Sequence, residues 1–376
     1  MPFFVHVLGL AVFAQGTSEF MVSGLVPGIA DDLSVSTAAA ASLTSAYALG
    51  MVVGAPAMAA LSARWPRRRA LAAFLSAFVV VHAVGAVATD FALLFGTRVV
   101  AAIVNAGFLA VAMSAAVALA PPEKQGRANA VLLSGVTLAC VVGVPAGASL
   151  GGWAGWRSVF WAVAALCLPA LALVFRSAPA TAAGRPEVSI RREAGVLRSR
   201  PVRRVVVLAA LVNGATFATY GYLGVIADGV LPGGAAPALL AAFGVGAFVG
   251  VTVAGRVTGE RFLVLGLCAL PVGWAALALA ADHAALLFGL AVVQGALSFG
   301  VGSTLIGRVV RLASDAPSLG GAFATVALNV GAFAGPLVVG ATTDHRGAPW
   351  VSAVLAAVAV SGVRRPGSSR SRHVPR

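Results

Sequence analysis

The stretch FALLFGTRVVAAIVNAGFLAVAMSAAVA, residues 91–118, decides the fold class. It carries a single charged side chain, Arg98, and no proline. As a helix it rises about 42 Å at 1.5 Å per residue, more than the roughly 30 Å of a bilayer's hydrocarbon core. Barrel strands are a poor alternative, because Ala, Leu and Gly dominate the chain and no alternating ten-residue pattern recurs.

Outward from this stretch, breaks at proline, glycine and charge clusters mark further apolar runs at 4–27, 39–63, 70–89, 127–151 and 156–175. After a polar interval they continue at 203–227, 235–257, 262–281, 284–308, 319–342 and 349–363. The sequence therefore predicts an all-α, polytopic membrane protein of twelve spans. Composition agrees, with 60% hydrophobic and 10% charged residues and a mean hydropathy of +0.96. A water-facing surface needs a far larger charged share, about a quarter of the residues. The last run holds about 14 residues from Trp350 to Val363, short of the roughly 17 to 25 that spanning takes. A tilted helix, a locally thinned bilayer and a truncated or frame-altered carboxyl terminus all remain open.

A net charge of +14 would suggest nucleic acid in a soluble protein, yet the basic residues sit in loops between apolar runs. With both termini in the cytoplasm, 23 of the 26 Lys and Arg fall on inner segments; Arg157 and Arg346 lie outside, and Arg98 lies at or within a span. That bias is the one the positive-inside rule describes. The expected place is the plasma membrane, multi-pass, with no nucleic-acid partner. The first run has no Lys or Arg ahead of it, so it is expected to stay as a span rather than be cleaved as a signal. Cys140, Cys167 and Cys268 fall inside apolar runs without metal-ligand or disulfide spacing and read as small core residues.

The longest polar stretch, 177–201, divides the spans six and six. The expected organisation is an N-terminal six-helix bundle (1–176), a cytoplasmic linker (177–201) and a C-terminal six-helix bundle with a basic tail (202–376). Echoes recur in order between the halves: Gln15-Gly16-Thr17 with Asn213-Gly214-Ala215, Asn105-Ala106-Gly107 with Gln294-Gly295, and Gly143-Val144-Pro145 with Gly335-Pro336. Each pair lies in the same span of its half. Internal repetition of this kind marks secondary transporters, whose substrate sites lie between repeats near the bilayer midplane.

Glu19 is the acidic residue placed well inside a span; the other acidic residues fall in loops or at span ends. About 23 Å of helix separate it from Phe4, so its carboxyl lies at or beyond mid-membrane, where charge is costly. A carboxyl that gains and loses protons there is what a proton-coupled carrier requires; a structural Glu bonded to a neighbouring helix is the alternative. Arg98 could sense the state of Glu19 or snorkel to an interface near Asp90. Gln15, Asn105, Asn213, Gln294 and Asn329 are in-span amides from both halves, able to bind a polar, neutral ligand or to join helices. Gly143, Gly147 and Gly151 stack four apart with Pro145 among them, predicting close packing and a bend. Arg64, Arg67 and Arg68, after the second span, read as a topogenic charge cluster.

These residues resemble the major facilitator superfamily over essentially the whole chain, and within it the twelve-span drug:proton antiporters. Residues 59–69 are similar to the superfamily's inner gating signature, with Ala59, Ala63 and Pro66 where Gly, Asp and Gly are usual. The echo at Gly255 to Arg261 also lacks the Asp at the expected place. Arg98 matches the fourth-span arginine that the family links to proton coupling, and Gly143 to Gly152 looks like the fifth-span antiporter motif. Thr17-Ser18-Glu19-Phe20, Asn105 to Ala110, Leu211 to Phe217 and Gln294 to Arg308 look more narrowly like actinobacterial chloramphenicol-resistance exporters.

The resemblance implies the major facilitator fold, two six-helix bundles related by a pseudo-twofold axis, and proton-driven export of chloramphenicol or a related phenicol. It implies proton coupling by Glu19 and Arg98, and substrate binding by Gln15, Glu19, Asn105, Asn213, Gln294 and Asn329. The expected partners are drug, protons and lipid, the expected state is a monomer, and no cofactor is expected beyond the proton gradient. An exporter of sugars or other metabolites on the same scaffold is the alternative. An enzyme is not expected: His6, His82, His283, His345 and His373 are scattered, and no nucleotide-binding loop occurs.

Overall fold

A computed structural model describes residues 3–62, 65–119, 121, 125–177, 195–231, 234–257, 260–313, 320–342 and 347–363. Arg64, residues 178–194 of the expected linker and the tail 364–376 lie outside the described residues. Helix is the one spanning element that satisfies every backbone group from within its own segment, and the described regular structure is helical throughout.

The first half comprises α1 (Phe3–Phe20), α2 (Val26–Asp32), α3 (Thr37–Ser62), α4 (Arg67–Ala86), α5 (Phe91–Leu119), α6 (Gln125–Leu138), α7 (Val144–Ala154) and α8 (Trp156–Ser177). The second comprises α9 (Arg200–Tyr220), α10 (Leu223–Val230), α11 (Ala236–Arg256), α12 (Glu260–Leu279), α13 (Ala284–Leu312), α14 (Gly320–Gly340) and α15 (Ala348–Val363). Among the described residues eleven helical segments are long and apolar enough to cross a membrane. The expected twelfth span forms as α15, whose 16 residues reach about 24 Å, short of the roughly 30 Å core.

Local chemistry sets several helix ends. The Ser36 hydroxyl accepts from the Ala39 N–H (3.1 Å) ahead of α3, and the Asp90 carboxylate accepts from the Leu93 N–H (2.8 Å) ahead of α5. Gly155 turns the chain between α7 and α8 at φ +78°, a conformation that glycine adopts without steric cost. The first span of each half breaks at a matching place. α1 stops at Phe20 before a short 3₁₀ turn and α2, and α9 stops at Tyr220 before α10.

Packing repeats between the halves. In the first, α1 lies on α6, α3 on α5 and α4 on α8; in the second, α9 lies on α14, α11 on α13 and α12 on α15. The halves meet where α3 packs on α14 and where α7, with the turn before it, packs on α11. Exchanging the halves maps one of these contacts onto the other, which is the relation a pseudo-twofold axis imposes.

Between α6 and α7 the chain makes a π-helical turn, Ala139–Gly143, just ahead of Pro145. Such a turn takes up the missing proline N–H and supplies the expected bend. The glycine stripe faces its own half: a Cβ at Gly143 would overlap Thr17 Oγ1, and one at Gly151 would overlap Leu25. The stripe Cys140, Val144 and Ala148 instead joins the core containing Leu240 and Phe243 of the other half. There Gly244 allows the close approach, since a Cβ on it would overlap the Cys140 carbonyl oxygen. The close packing of the glycines and the contact between the halves therefore fall on two separate stripes.

Cys140 and Cys167 are buried, as a core reading requires, but Cys268 is exposed on the outer face of α12. An apolar lipid-facing surface accepts a thiol as readily as a core does, so the sequence pattern did not separate the two. Away from the arginine-rich end, Asp32 accepts from Trp156 Nε1 (3.2 Å) and pairs with Arg157, which also donates to the Ala88 carbonyl at 2.9 Å. The bond from Arg157 holds the Asp32 carboxyl below its ordinary range.

Candidate functional site

A cavity of about 270 Å³ lies between the halves. α1 contributes Glu19 and Phe20, α3 contributes Thr44 and Tyr47, and α6 contributes Val136 and Thr137. From the other half come Asn213 and Phe217 of α9, Ser298, Phe299 and Ser303 of α13, and Asn329 of α14. Glu19 is the acidic residue among the described lining side chains, and no basic one lines it. The wall is otherwise aromatic, aliphatic and neutral-polar, which suits an uncharged amphipathic ligand.

The helix rotations decide which expected residues reach it. Asn213 donates to the Leu328 carbonyl (2.7 Å) and Asn329 to the Thr325 carbonyl (2.9 Å), and both residues line the cavity. Thr44 Oγ1 and Ser298 Oγ, on the wall itself, are buried without a hydrogen-bond partner among the described residues. Gln15, Asn105 and Gln294 do not line the cavity. Gln294 turns toward α12, where its Nε2 donates to the Leu270 carbonyl at 3.3 Å and its side chain fills the space beside Gly273. Asn105 acts one layer back, its Nδ2 donating to the Tyr47 hydroxyl at 2.9 Å. Gln15 is buried with neither amide atom bonded.

Arg98 is not interfacial. It is 1% exposed, with Nη1 donating to Ser18 Oγ (2.8 Å) and Nη2 to the Ser18 carbonyl (2.7 Å). Its guanidinium carbon lies 4.5 Å from the Tyr47 ring centroid, a cation–π contact worth roughly 2 kcal/mol when desolvated. The arginine thus stands directly behind the α1 turn that carries Glu19, separated from the cavity by Tyr47.

The sequence reading missed several of these residues. Tyr47, Ser18 and the ring cluster around Phe20 gave no signal, because aromatic and small hydroxyl residues cost little in lipid. Phe20 reaches into the second half, 5.9 Å from Phe217, 6.2 Å from Tyr220 and 6.4 Å from Phe299 between ring centroids. His82 did give a signal, an imidazole in the middle of an apolar run, and was set aside for lack of a partner in sequence. Of the expected gating residues, Arg67 donates to Ser114 Oγ (3.4 Å) and Arg68 to the Phe175 carbonyl, both within the first half.

The cavity lining continues to Val251, Ser303 and Ile306, toward the end of the bundle marked by Arg67, Arg200 and Arg256. At the opposite end the halves touch: Ser45 Oγ donates to the Phe333 carbonyl (2.8 Å), and a Cβ on Gly340 would lie 3.4 Å from that of Ala38.

Residues 8–261 match the model of the Major Facilitator Superfamily. The chain belongs to that superfamily. It is 51% identical over 372 residues to a chloramphenicol resistance protein of Streptomyces lividans, covering 96% of this chain and 95% of that one. It is 31% identical over 390 residues to the chloramphenicol efflux pump Rv0191 of Mycobacterium tuberculosis (strain ATCC 25618 / H37Rv), with 98% and 92% covered. Its fold is similar to that of a mutant of the nucleoside transporter NupG, with a TM-score of 0.76 at 12% identity over 95% of this chain and 97% of that one. The chain is a multi-pass membrane transporter of this superfamily and not an enzyme.

Proposed function

We propose that the protein exports a small lipophilic drug, a phenicol such as chloramphenicol, in exchange for protons across the plasma membrane, with both termini in the cytoplasm. Glu19 carries the reading: it is a carboxyl on the wall of a cavity between the halves that is otherwise neutral. With the arginine-rich end inside, the cavity faces the cytoplasm.

The chemistry follows from sharing one small space. An ionised Glu19 in a neutral, aromatic-walled cavity is poorly solvated, so either a proton or the hydroxyl and amide groups of a bound drug relieve it. Drug binding therefore favours loss of the proton and protonation favours release, and the two ligands bias one carrier in opposite directions. Phe20, Phe217 and Phe299 supply the apolar surface, while Thr44, Ser298, Asn213 and Asn329 supply hydrogen-bonding groups. The Streptomyces and Mycobacterium relatives, named for chloramphenicol, support the drug class.

The test is drug uptake into inverted vesicles energised by a pH gradient, with wild type and Glu19→Gln. Wild type should accumulate chloramphenicol in a way that a protonophore abolishes, and the Gln variant should fall to the level of empty vesicles. Gradient-driven accumulation by Glu19→Gln would overturn the coupling role. Accumulation of sugars in place of phenicols would overturn the substrate.

A further inference from the structure

Behind Glu19 lies a closed hydrogen-bond chain that ends in a histidine. His82 of α4 is 1% exposed, with Nδ1 2.8 Å from the Phe78 carbonyl and Nε2 2.7 Å from Ser18 Oγ. A carbonyl can only accept, so Nδ1 carries the hydrogen and Nε2 of a neutral imidazole accepts from the Ser18 hydroxyl. Ser18 Oγ, having donated its own hydrogen, turns its lone pairs to Arg98 Nη1. From Arg98 Nη1 through Ser18 and His82 to Phe78 each link uses one hydrogen, and its direction is fixed by the far end; Nη2 holds the Ser18 carbonyl, and Nε has no partner among the described residues.

We infer that His82 is a positioning residue for proton exchange: by accepting the Ser18 hydroxyl it keeps Arg98 engaged on Ser18 and off the neighbouring Glu19 carboxyl. This rests on Glu19 being the coupling carboxyl. Ser18 and Glu19 are adjacent on α1, so an Arg98 Nη1 released from Ser18 Oγ, with Nη2 still on the Ser18 carbonyl, has that neighbouring carboxylate to turn to. The titratable side chains that act on Glu19 electrostatically are Arg98, Tyr47, Cys140 and Tyr220, of which Arg98 alone is charged at neutral pH. Around His82 the groups are Ser18 from α1, Arg98 from α5, Phe160 from α8 (5.9 Å between rings) and Phe78 on its own helix, so Arg98 is again the one charge. A second cation at His82 would face Arg98 across a single oxygen.

The experiment reads the pH profile of chloramphenicol efflux in the full-length protein for Ser18→Ala, His82→Leu, the double variant and His82→Gln. Ser18→Ala and His82→Leu each free Arg98 Nη1, with Nη2 still on the Ser18 carbonyl, to favour the Glu19 carboxylate, moving the midpoint toward acid by roughly one pH unit or more. Because both act on the same hydrogen bond, the double variant should shift no further than either single one. His82→Gln, whose side-chain oxygen can still accept from Ser18, should keep the wild-type midpoint. Midpoints that do not move, shifts that add in the double variant, or a Gln variant that behaves as Leu would each overturn the inference. Should His82→Leu fail to reach the membrane, the smaller Ser18→Ala and the Gln rescue decide the matter. A proton-independent Glu19→Gln alongside an unshifted Ser18→Ala would sink this inference alone, whereas a proton-coupled Glu19→Gln would sink the reading beneath it.

Discussion

Ser298 and Thr44 bring hydroxyls from opposite halves to the cavity wall, and neither has a partner among the described residues. A buried hydroxyl without a partner costs free energy that a ligand's hydrogen bond recovers, about 1 kcal/mol for a neutral pair. Ser298→Ala should therefore raise the KM for the drug roughly fivefold while leaving the pH midpoint of efflux in place. An unchanged KM would show that the drug does not reach α13. Gln294, one turn earlier on the same helix, was legible in the sequence where Ser298 was not. An amide in an apolar run stands out by its cost in lipid, yet that cost is the same whether it meets a ligand or the Leu270 carbonyl. The sequence marks such residues as expensive, and only the rotation of the packed helix tells what they meet. Glu19 was legible by the same cost, and among the described residues no side chain forms an ion pair with it, leaving the cavity as its outlet.

At the scale of the helices, most spans could be read to within about four residues, because the bilayer imposes a similar length and composition on them, but the breaks after Phe20 and Tyr220 inside the first span of each half were not read. What could not be read is which stripe of a helix meets which neighbour. On α7 and the π turn before it, glycines four apart predicted close packing without saying against what: Gly143 is pressed on Thr17 of its own half, and the contact with the second half runs through Cys140, Val144 and Ala148. The two contacts differ in what would yield to an added methyl. At Gly143 the obstruction is a side chain, Thr17, whereas at Gly244 it is the Cys140 backbone carbonyl. Overpacking of this kind costs about 1 to 3 kcal/mol. Gly143→Ala should lower the thermal unfolding midpoint in detergent, and adding Thr17→Ala should recover part of the loss. Additive losses in the double variant would show that the two residues do not share a contact.

For the whole molecule, the repeat of helix pairings and the two symmetry-related contacts between halves give a carrier that can rock about its middle. In the arrangement seen here the halves are apposed at the end away from the arginines, and the cavity leads the other way. A rocking carrier must part Ala38 from Gly340 to open that end, and their geometry offers a direct test. The Cβ separation of 3.4 Å is close to the roughly 3.5 to 4.5 Å that a disulfide spans. In a background where the exposed Cys268 is replaced by Ser, the pair Ala38→Cys and Gly340→Cys should cross-link on mild oxidation and stop efflux, and reduction should restore it. Drug binding from the cytoplasmic side should leave the cross-linked protein able to bind but unable to release outward, so affinity persists while transport is lost. Full transport with the cross-link in place would mean that this contact never opens, and that the path outward lies elsewhere than between α3 and α14.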